Sequence, residues 1–169
     1  MLASLPLAAS PDARAARYRD VLDGVRSLLE DQNDWVSAMA TVACELHHAF
    51  DYFDWTGFYR AVKPDLLLVG PYQGGHGCLS IAFSRGVCGA AARTRATQLV
   101  PDVEAFPGHI ACSSSTKSEI VVPVLTPGGR LLAVLDVDSD APAAFTEVDA
   151  AGLEAITAEL GRRFEDATP

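Results

Sequence analysis

Positive charge is scarce in this chain. Thirteen Lys and Arg stand against 22 Asp and Glu over 169 residues, a formal net charge of −9. Nucleic acids and anionic membrane surfaces are themselves negative, so this sign argues against either as a partner. A small cationic or zwitterionic ligand, or a protein, is compatible with it. Long apolar runs are also missing, since no stretch approaches the roughly 18 consecutive apolar residues of a membrane span. Met1–Ser10 has no basic residue ahead of its short apolar part, which argues for a flexible arm rather than a secretory signal. The expected setting is the reducing cytoplasm, where cysteines serve purposes other than structural bridging. There is no βαβ rhythm, no internal repeat and no glycine-rich phosphate loop. Gly86 and Gly89 lie close together, but without dinucleotide or Walker spacing.

What is present is ordinary globular composition, 49% hydrophobic and 21% charged residues, in a chain of one-domain length. The expected division is an arm over residues 1–11, a domain over 12–166 and a short tail over 167–169. Tyr18, Val21, Leu22, Val25, Leu28 and Leu29 recur at helical spacing between Asp12 and Glu30. Asp31–Asp34 interrupts that pattern and offers a cap for a second helix carrying Trp35, Val36, Met39, Val42, Ala43 and Leu46. Phe53–Val62 and Leu66–Val69 read as a hairpin around Lys63-Pro64-Asp65. Glu119–Leu125 and Arg130–Ser139 read as a second hairpin, joined through Thr126-Pro127-Gly128-Gly129. A last helix begins at Thr146, with Asp149 completing a capping box and Phe145 placed as a staple. Its buried stripe is Leu153, Ile156, Leu160 and Phe164. Between the hairpins, Gly70–Gly108 reads as a long irregular segment with one short helical piece near Gly89–Thr94, and such segments are more often functional than idle. The order implies an α+β fold, an antiparallel sheet flanked by helices.

Four cysteines punctuate the chain. Cys44 occupies a core-compatible helical position and reads as a small buried hydrophobe. Cys78, Cys88 and Cys112 fall in or beside the irregular segment, near His76 and His109, and call for a metal or redox chemistry. His76-Gly77-Cys78 and His109-Ile110-Ala111-Cys112 offer mixed nitrogen and sulfur ligands, but no CxxC knuckle exists and the spacing is not that of ordinary structural zinc. No metal and no other cofactor is expected. Redox chemistry fits better: a thiol that takes oxygen from an oxidised sulfur becomes a sulfenic acid, which a second thiol traps as a disulfide. The glycines before Cys78 suit a mobile partner, whereas Gly86 and Gly89 put Cys88 in a tighter setting.

Asp136 and Asp138 lie two apart on an apolar strand, so both point to one face while Leu135 and Val137 point to the other. Carboxylates there are costly unless a cation meets them. Glu119 begins the neighbouring strand, and pairing through the Pro127-Gly128 turn brings the three acids to one pocket, suited to an ammonium group and able to protonate a leaving oxygen. Clustered acids also raise a neighbouring thiol's pKa, which leaves its activation to bound substrate, local amides or His109.

In its motifs the chain resembles the free methionine-R-sulfoxide reductases, a catalytic branch of the GAF-domain family. The resemblance runs from about Trp35 to Phe164. It is carried by Trp55-Thr-Gly-Phe-Tyr59, Gly70-Pro-Tyr-Gln-Gly74, Gly86-Val-Cys-Gly89, Asp102-Val103, Phe106-Pro-Gly-His-Ile-Ala-Cys112, Ser118-Glu-Ile-Val-Val-Pro123 and Leu135-Asp-Val-Asp-Ser139 in order. It implies reduction of the free amino acid, with Cys112 as nucleophile, Cys78 as main resolving thiol and Cys88 as backup. Glu119, Asp136 and Asp138 match the acids that hold substrate, Trp55 and Tyr59 the aromatic wall, and Asp102 a pocket-lining or turn residue. It further implies thioredoxin as reductant, a homodimer as a candidate assembly and a role against oxidative stress. Ser113 and Gly77 are minor departures from the pattern. The competing reading is a noncatalytic GAF module that senses a small ligand.

Overall fold

A computed structural model describes residues 3–108 and 114–168. Helices α1 (Pro11–Leu28) and α2 (Trp35–Ala49) come first, then strands β1 (Trp55–Lys63), β2 (Leu66–Gln73) and β3 (Ser80–Ala82). Helix α3 (Gly86–Thr94), strand β4 (Gln98–Val100) and a 3₁₀ turn at Val103–Ala105 lead to β5 (Ser118–Leu125), β6 (Leu131–Ser139) and helix α4 (Glu147–Arg163). The six strands form one antiparallel sheet in the order β3-β2-β1-β6-β5-β4. The α+β expectation holds.

Local chemistry sets the helix starts. Ser10 Oγ accepts from Ala13 N–H, with Pro11 at the first helical position, and Asp34 Oδ1 accepts from Ser37 N–H at 2.7 Å. Both satisfy backbone donors that have no partner inside the helix. Thr146 and Asp149 form the capping box of α4. The segment read as irregular but for a short helical piece near Gly89–Thr94 contains that helix, α3, and also two three-residue strands, β3 and β4, at the sheet edges. The hairpin strand read as Leu66–Val69 runs on to Gln73, because residues 67–73 stay paired with β1 beyond the last branched side chain.

Strand alternation divides the interior into two apolar cores. Phe58, Ile120, Val122, Val124, Leu132, Leu135 and Val137 face α1, α2 and α4, joining Val25, Met39, Leu46, Leu153 and Ile156 in the larger core. The opposite face carries Trp55, Tyr59, Val121 and Val134 against Val87, Cys88 and Ala91 of α3.

Residues 3–10, expected as a loose arm, pair with the end of α2: Leu5 N–H donates to Ala49 O, and Asp51 N–H to Leu5 O. Beneath them lies a buried polar knot that no short-range pattern announces. Asp149, fully buried, accepts from Arg14 Nη1 at 2.7 Å, from the hydroxyls of Tyr18 and Tyr52 at 2.9 Å each, and from Thr146 N and Oγ1 at 2.8 Å. One carboxylate thus ties α1, the entry to β1 and the start of α4. Cys44 departs from its expected burial. It lies half-exposed on α2, its Sγ 3.8 Å from His48 Nδ1, because the helix turns its buried stripe toward Ala43 and Leu46 instead.

Candidate functional site

Three central strands place their side chains on the α3 face in two cross-strand rows. Trp55, Asp138, Glu119 and Val100 are successive partners in one row, and Gly57, Asp136, Val121 and Gln98 in the next. Glu119 and Asp136 are buried, and Asp138 is half-buried at the end of the sheet. The α3 helix adds Cys88, so that Cys88 Sγ, a Glu119 oxygen and an Asp136 oxygen lie within 4.8 Å of one another. Cys88 Sγ is 4.0 Å from Glu119 Oε1, and Asp136 Oδ1 has no partner among the described residues.

Electrostatics follow from that crowding. Burial raises Glu119 well above the usual carboxylate range, with Asp136 and Asp138 adding to the effect. Asp138 is raised by burial and by Asp136, Asp140 and Asp54. Asp136 is pushed up to about 7 by burial, opposed by hydrogen bonds from Cys88 and Glu119. The Cys88 thiol is raised by burial and then by Asp136 and Glu119. Near neutral pH the cluster therefore retains protons that isolated acids would have lost. Cys88, Glu119 and Asp136 are the one group of metal-ligand type among the described residues. Metal ligands must be deprotonated, a state that burial disfavours for all three groups. An organic cation that brings its own hydrogen-bond donors suits the cluster better.

An aromatic wall adjoins the acids. The Trp55 ring lies between Tyr72 and Tyr59, stacked at centroid distances of 5.3 and 5.7 Å. The glycine between Trp55 and Tyr59 makes room for it. A Cβ on Gly57 would sit 2.5 Å from the indole and 2.4 Å from Tyr72 Cβ. Trp55-x-Gly57-x-Tyr59 is thus a period-two signal on one face, with Thr56 and Phe58 pointing the other way. Neither Gly57 nor Tyr72 shows its part in the wall from local sequence pattern, because each meets the Trp55 ring only in the folded sheet.

The segment after β2 is strapped onto this wall. Trp55 Nε1 donates to Gly75 O at 3.1 Å, and Tyr59 Oη accepts from the Cys78 N–H. A Cβ on Gly77 would lie 2.9 Å from Tyr59 Oη and 3.0 Å from Trp55 Cζ2. Glycine at 77 thus allows the backbone to pass directly over the rings. Cys78 is disulfide-bonded, while Cys44 and Cys88 are free thiols. Cys112, His109 and Ser113 lie outside the described residues. His76 is exposed. Asp102 is exposed too. Its Oδ1 accepts from Glu104 N–H and caps the 3₁₀ turn, a turn role rather than a place in the acid cluster.

The model of the GAF domain family matches residues 30–165. The chain belongs to that family. This GAF domain is 42% identical over 135 residues to the free methionine-R-sulfoxide reductase of Saccharomyces cerevisiae, covering 76% of this chain and 75% of the relative. It is 34% identical over 143 residues to the protein of the same name from Escherichia coli, covering 85% and 86%. Among solved structures it is similar to free methionine-R-sulfoxide reductase from Neisseria meningitidis in complex with its substrate. There the identity is 44%, the TM-score 0.85, and the coverage 98% of this chain and 96% of that one. The acid cluster and aromatic wall of this GAF domain therefore sit on a fold whose relatives include substrate-bound reductases.

Proposed function

We propose that this chain reduces free methionine-R-sulfoxide to methionine, with Cys112 as the nucleophile. The observation that carries the reading is the set of buried Glu119 and Asp136 and half-buried Asp138 beside the Trp55–Tyr59 stack, with the Cys78 segment strapped across the same rings. An α-ammonium group supplies a cation suited to these acids, and Asp136 Oδ1 is a buried acceptor with no donor among the described residues. The aromatic rings suit the methyl and methylene groups. A peptide-bound residue has an acylated nitrogen, carries no charge there and would leave the acids unpaired, which penalises it strongly.

In the proposed cycle the Cys112 thiolate attacks the sulfoxide sulfur. A cluster acid, kept protonated by burial, gives its proton to the sulfoxide oxygen. Oxygen passes to Cys112 as a sulfenic acid and methionine leaves. The Cys78 thiol then attacks the Cys112 sulfur, hydroxide departs as water and a disulfide closes. Cys78 being the bonded cysteine, with Cys44 and Cys88 free, supports that pairing. Two electrons from a dithiol protein of the thioredoxin type, in a reducing cytoplasm, restore both thiols.

The test is methionine release from separate R and S free sulfoxides and from the N-acetylated R sulfoxide, with thioredoxin as reductant. Native protein is expected to turn over the free R epimer alone, and Cys112→Ser to be inactive. Equal turnover of the acetylated compound would remove the ammonium argument. No turnover of any sulfoxide by freshly reduced protein would replace the enzyme reading with a ligand-sensing GAF domain.

A further inference from the structure

We propose that the outer edge of strand β3, continuous with the bonded Cys78, is the docking strand for an acidic dithiol protein that reduces the Cys78 disulfide. The inference rests on the reductase reading for Cys112 as the paired sulfur, and on the surface alone for where the reductant lands.

β3 is the last strand on its side of the sheet and pairs with β2 alone. Leu79 O accepts from Val69 N–H at 3.1 Å, and Phe83 N–H donates to Asp65 O at 2.9 Å, so the groups at 79 and 83 face β2. Antiparallel alternation then turns the N–H and C=O of Ser80, an exposed residue, away from β2. An extended segment of a partner can add to such an edge through its main chain. Leu79, just before Ser80, is 78% exposed, the most exposed large hydrophobic side chain among the described residues. Cys78, just before Leu79, is disulfide-bonded and half-buried. A protein that must bring its own sulfur to Cys78 thus meets a sulfur, an apolar anchor and an open strand edge on three successive residues, about 10 Å of extended chain.

Charge decides the kind of partner. All 22 Asp and Glu lie outside residues 66–101, a stretch that carries His76, Arg85, Arg93 and Arg95. Arg85 and Arg93, both exposed, stand at the far end of β3 from Cys78. Arg85 N–H donates to Ala82 O at 3.0 Å, and Arg93 Nη1 donates to Phe83 O. The edge is a basic strip on a chain of net charge −9, so an acidic protein is drawn to it and repelled elsewhere. Once docked, a thiolate of the partner's dithiol attacks Cys78 Sγ, and Cys112 leaves as a thiolate that takes up a proton. The partner's second thiol gives up its proton and attacks its own sulfur in the mixed disulfide, and Cys78 leaves to become a thiol. Two electrons and two protons pass to this chain, and the partner ends as a disulfide.

The test needs no sulfoxide. Protein oxidised with diamide is mixed with a reduced acidic thioredoxin or with dithiothreitol, and the return of its thiols is followed by rapid alkylation and mass spectrometry. Leu79→Ser is expected to lower the thioredoxin rate about tenfold, the scale of one leucine side chain taken out of water. Arg85→Glu should also lower it. The native rate should fall as salt is added, and the Arg85→Glu rate should fall less. Dithiothreitol, too small to use the edge, should reduce the native protein and both variants equally fast. A thioredoxin whose second cysteine is replaced by serine should be trapped on Cys78. The inference is overturned by thioredoxin rates unchanged in both variants, by a native rate insensitive to salt, by an equal loss with dithiothreitol, or by trapping on Cys112. An oxidised protein that dithiothreitol reduces and thioredoxin does not would overturn it as well. Methionine release is measured separately, and its absence would sink the reductase reading while leaving the docking result to stand or fall on these rates.

Discussion

Replacing Asp149 by Ala should cost more stability than any substitution among the acids clustered on the α3 face. The side chain is fully buried and receives hydrogen bonds from Arg14, Tyr18, Tyr52 and the Thr146 cap. Its removal strands the Arg14 guanidinium, 6% exposed and packed 4.7 Å over the Tyr52 ring, without its counter-charge. Breaking a buried ion pair from one side costs about 3–5 kcal/mol. Loss of the helix cap adds about 1 kcal/mol. These terms share atoms and do not sum fully, so about 4 kcal/mol is the expected loss, a large part of the ~5–15 kcal/mol that holds a domain folded. Urea unfolding followed by tryptophan fluorescence would read it as a lower midpoint with an unchanged slope. The double replacement Arg14→Met/Asp149→Leu should be milder than Asp149→Ala, because no charge is left buried alone. A loss below about 1 kcal/mol for Asp149→Ala, or a double variant worse than the single one, would refute the claim that the penalty is a stranded charge.

Gly57→Ala should both destabilise the domain by about 1–3 kcal/mol and raise KM, since its Cβ would collide with the indole of Trp55. Thermal unfolding and steady-state kinetics on the same preparation would check the two effects. Glu119→Gln should reduce kcat/KM for free methionine-R-sulfoxide about 100-fold, the scale expected when a buried partner of a charged ligand group is lost. Parallel assays on the free and N-acetylated sulfoxides should show their difference shrinking. Ligand-free protein should lose stability as pH rises. Asp136 is raised from 3.8 to about 7, so the folded state binds more protons than the unfolded state between those values. Its contribution is present below about pH 4 and is lost progressively up to about pH 7, at up to about 1.4 kcal/mol per pH unit. Denaturation at several pH values should show that slope in the native protein and a shallower one in Asp136→Asn.

Much of this architecture was legible because its signals are local. The helical stripe from Tyr18 to Val25, the Asp34 and Thr146 caps and the alternation of Leu135 and Val137 with Asp136 and Asp138 all lie within a few residues of their consequences. What escaped depends on partners far along the chain. β3 and β4 are three residues each and exist because β2 and β5 offer an edge to pair with. Asp149 read as a cap, which it is, but its bonds to Arg14 and Tyr18 span more than 130 residues. Gly57 looked like one letter of a motif until the Trp55 ring was found lying across it. Asp102 lay in a motif too, yet its carboxylate is spent on the backbone two residues ahead.

The separation of the sheet's two faces bears on how such a domain changes over time. Side chains that fold it and side chains proposed to meet a ligand alternate along the same three strands and touch different cores. A mutation at 119, 136 or 138 reaches the helical face only through the backbone, so a new ligand preference can be tried without repacking α1, α2 and α4. One scaffold can in this way drift between sensing and catalysis, carrying its stability on the face that selection for chemistry does not disturb.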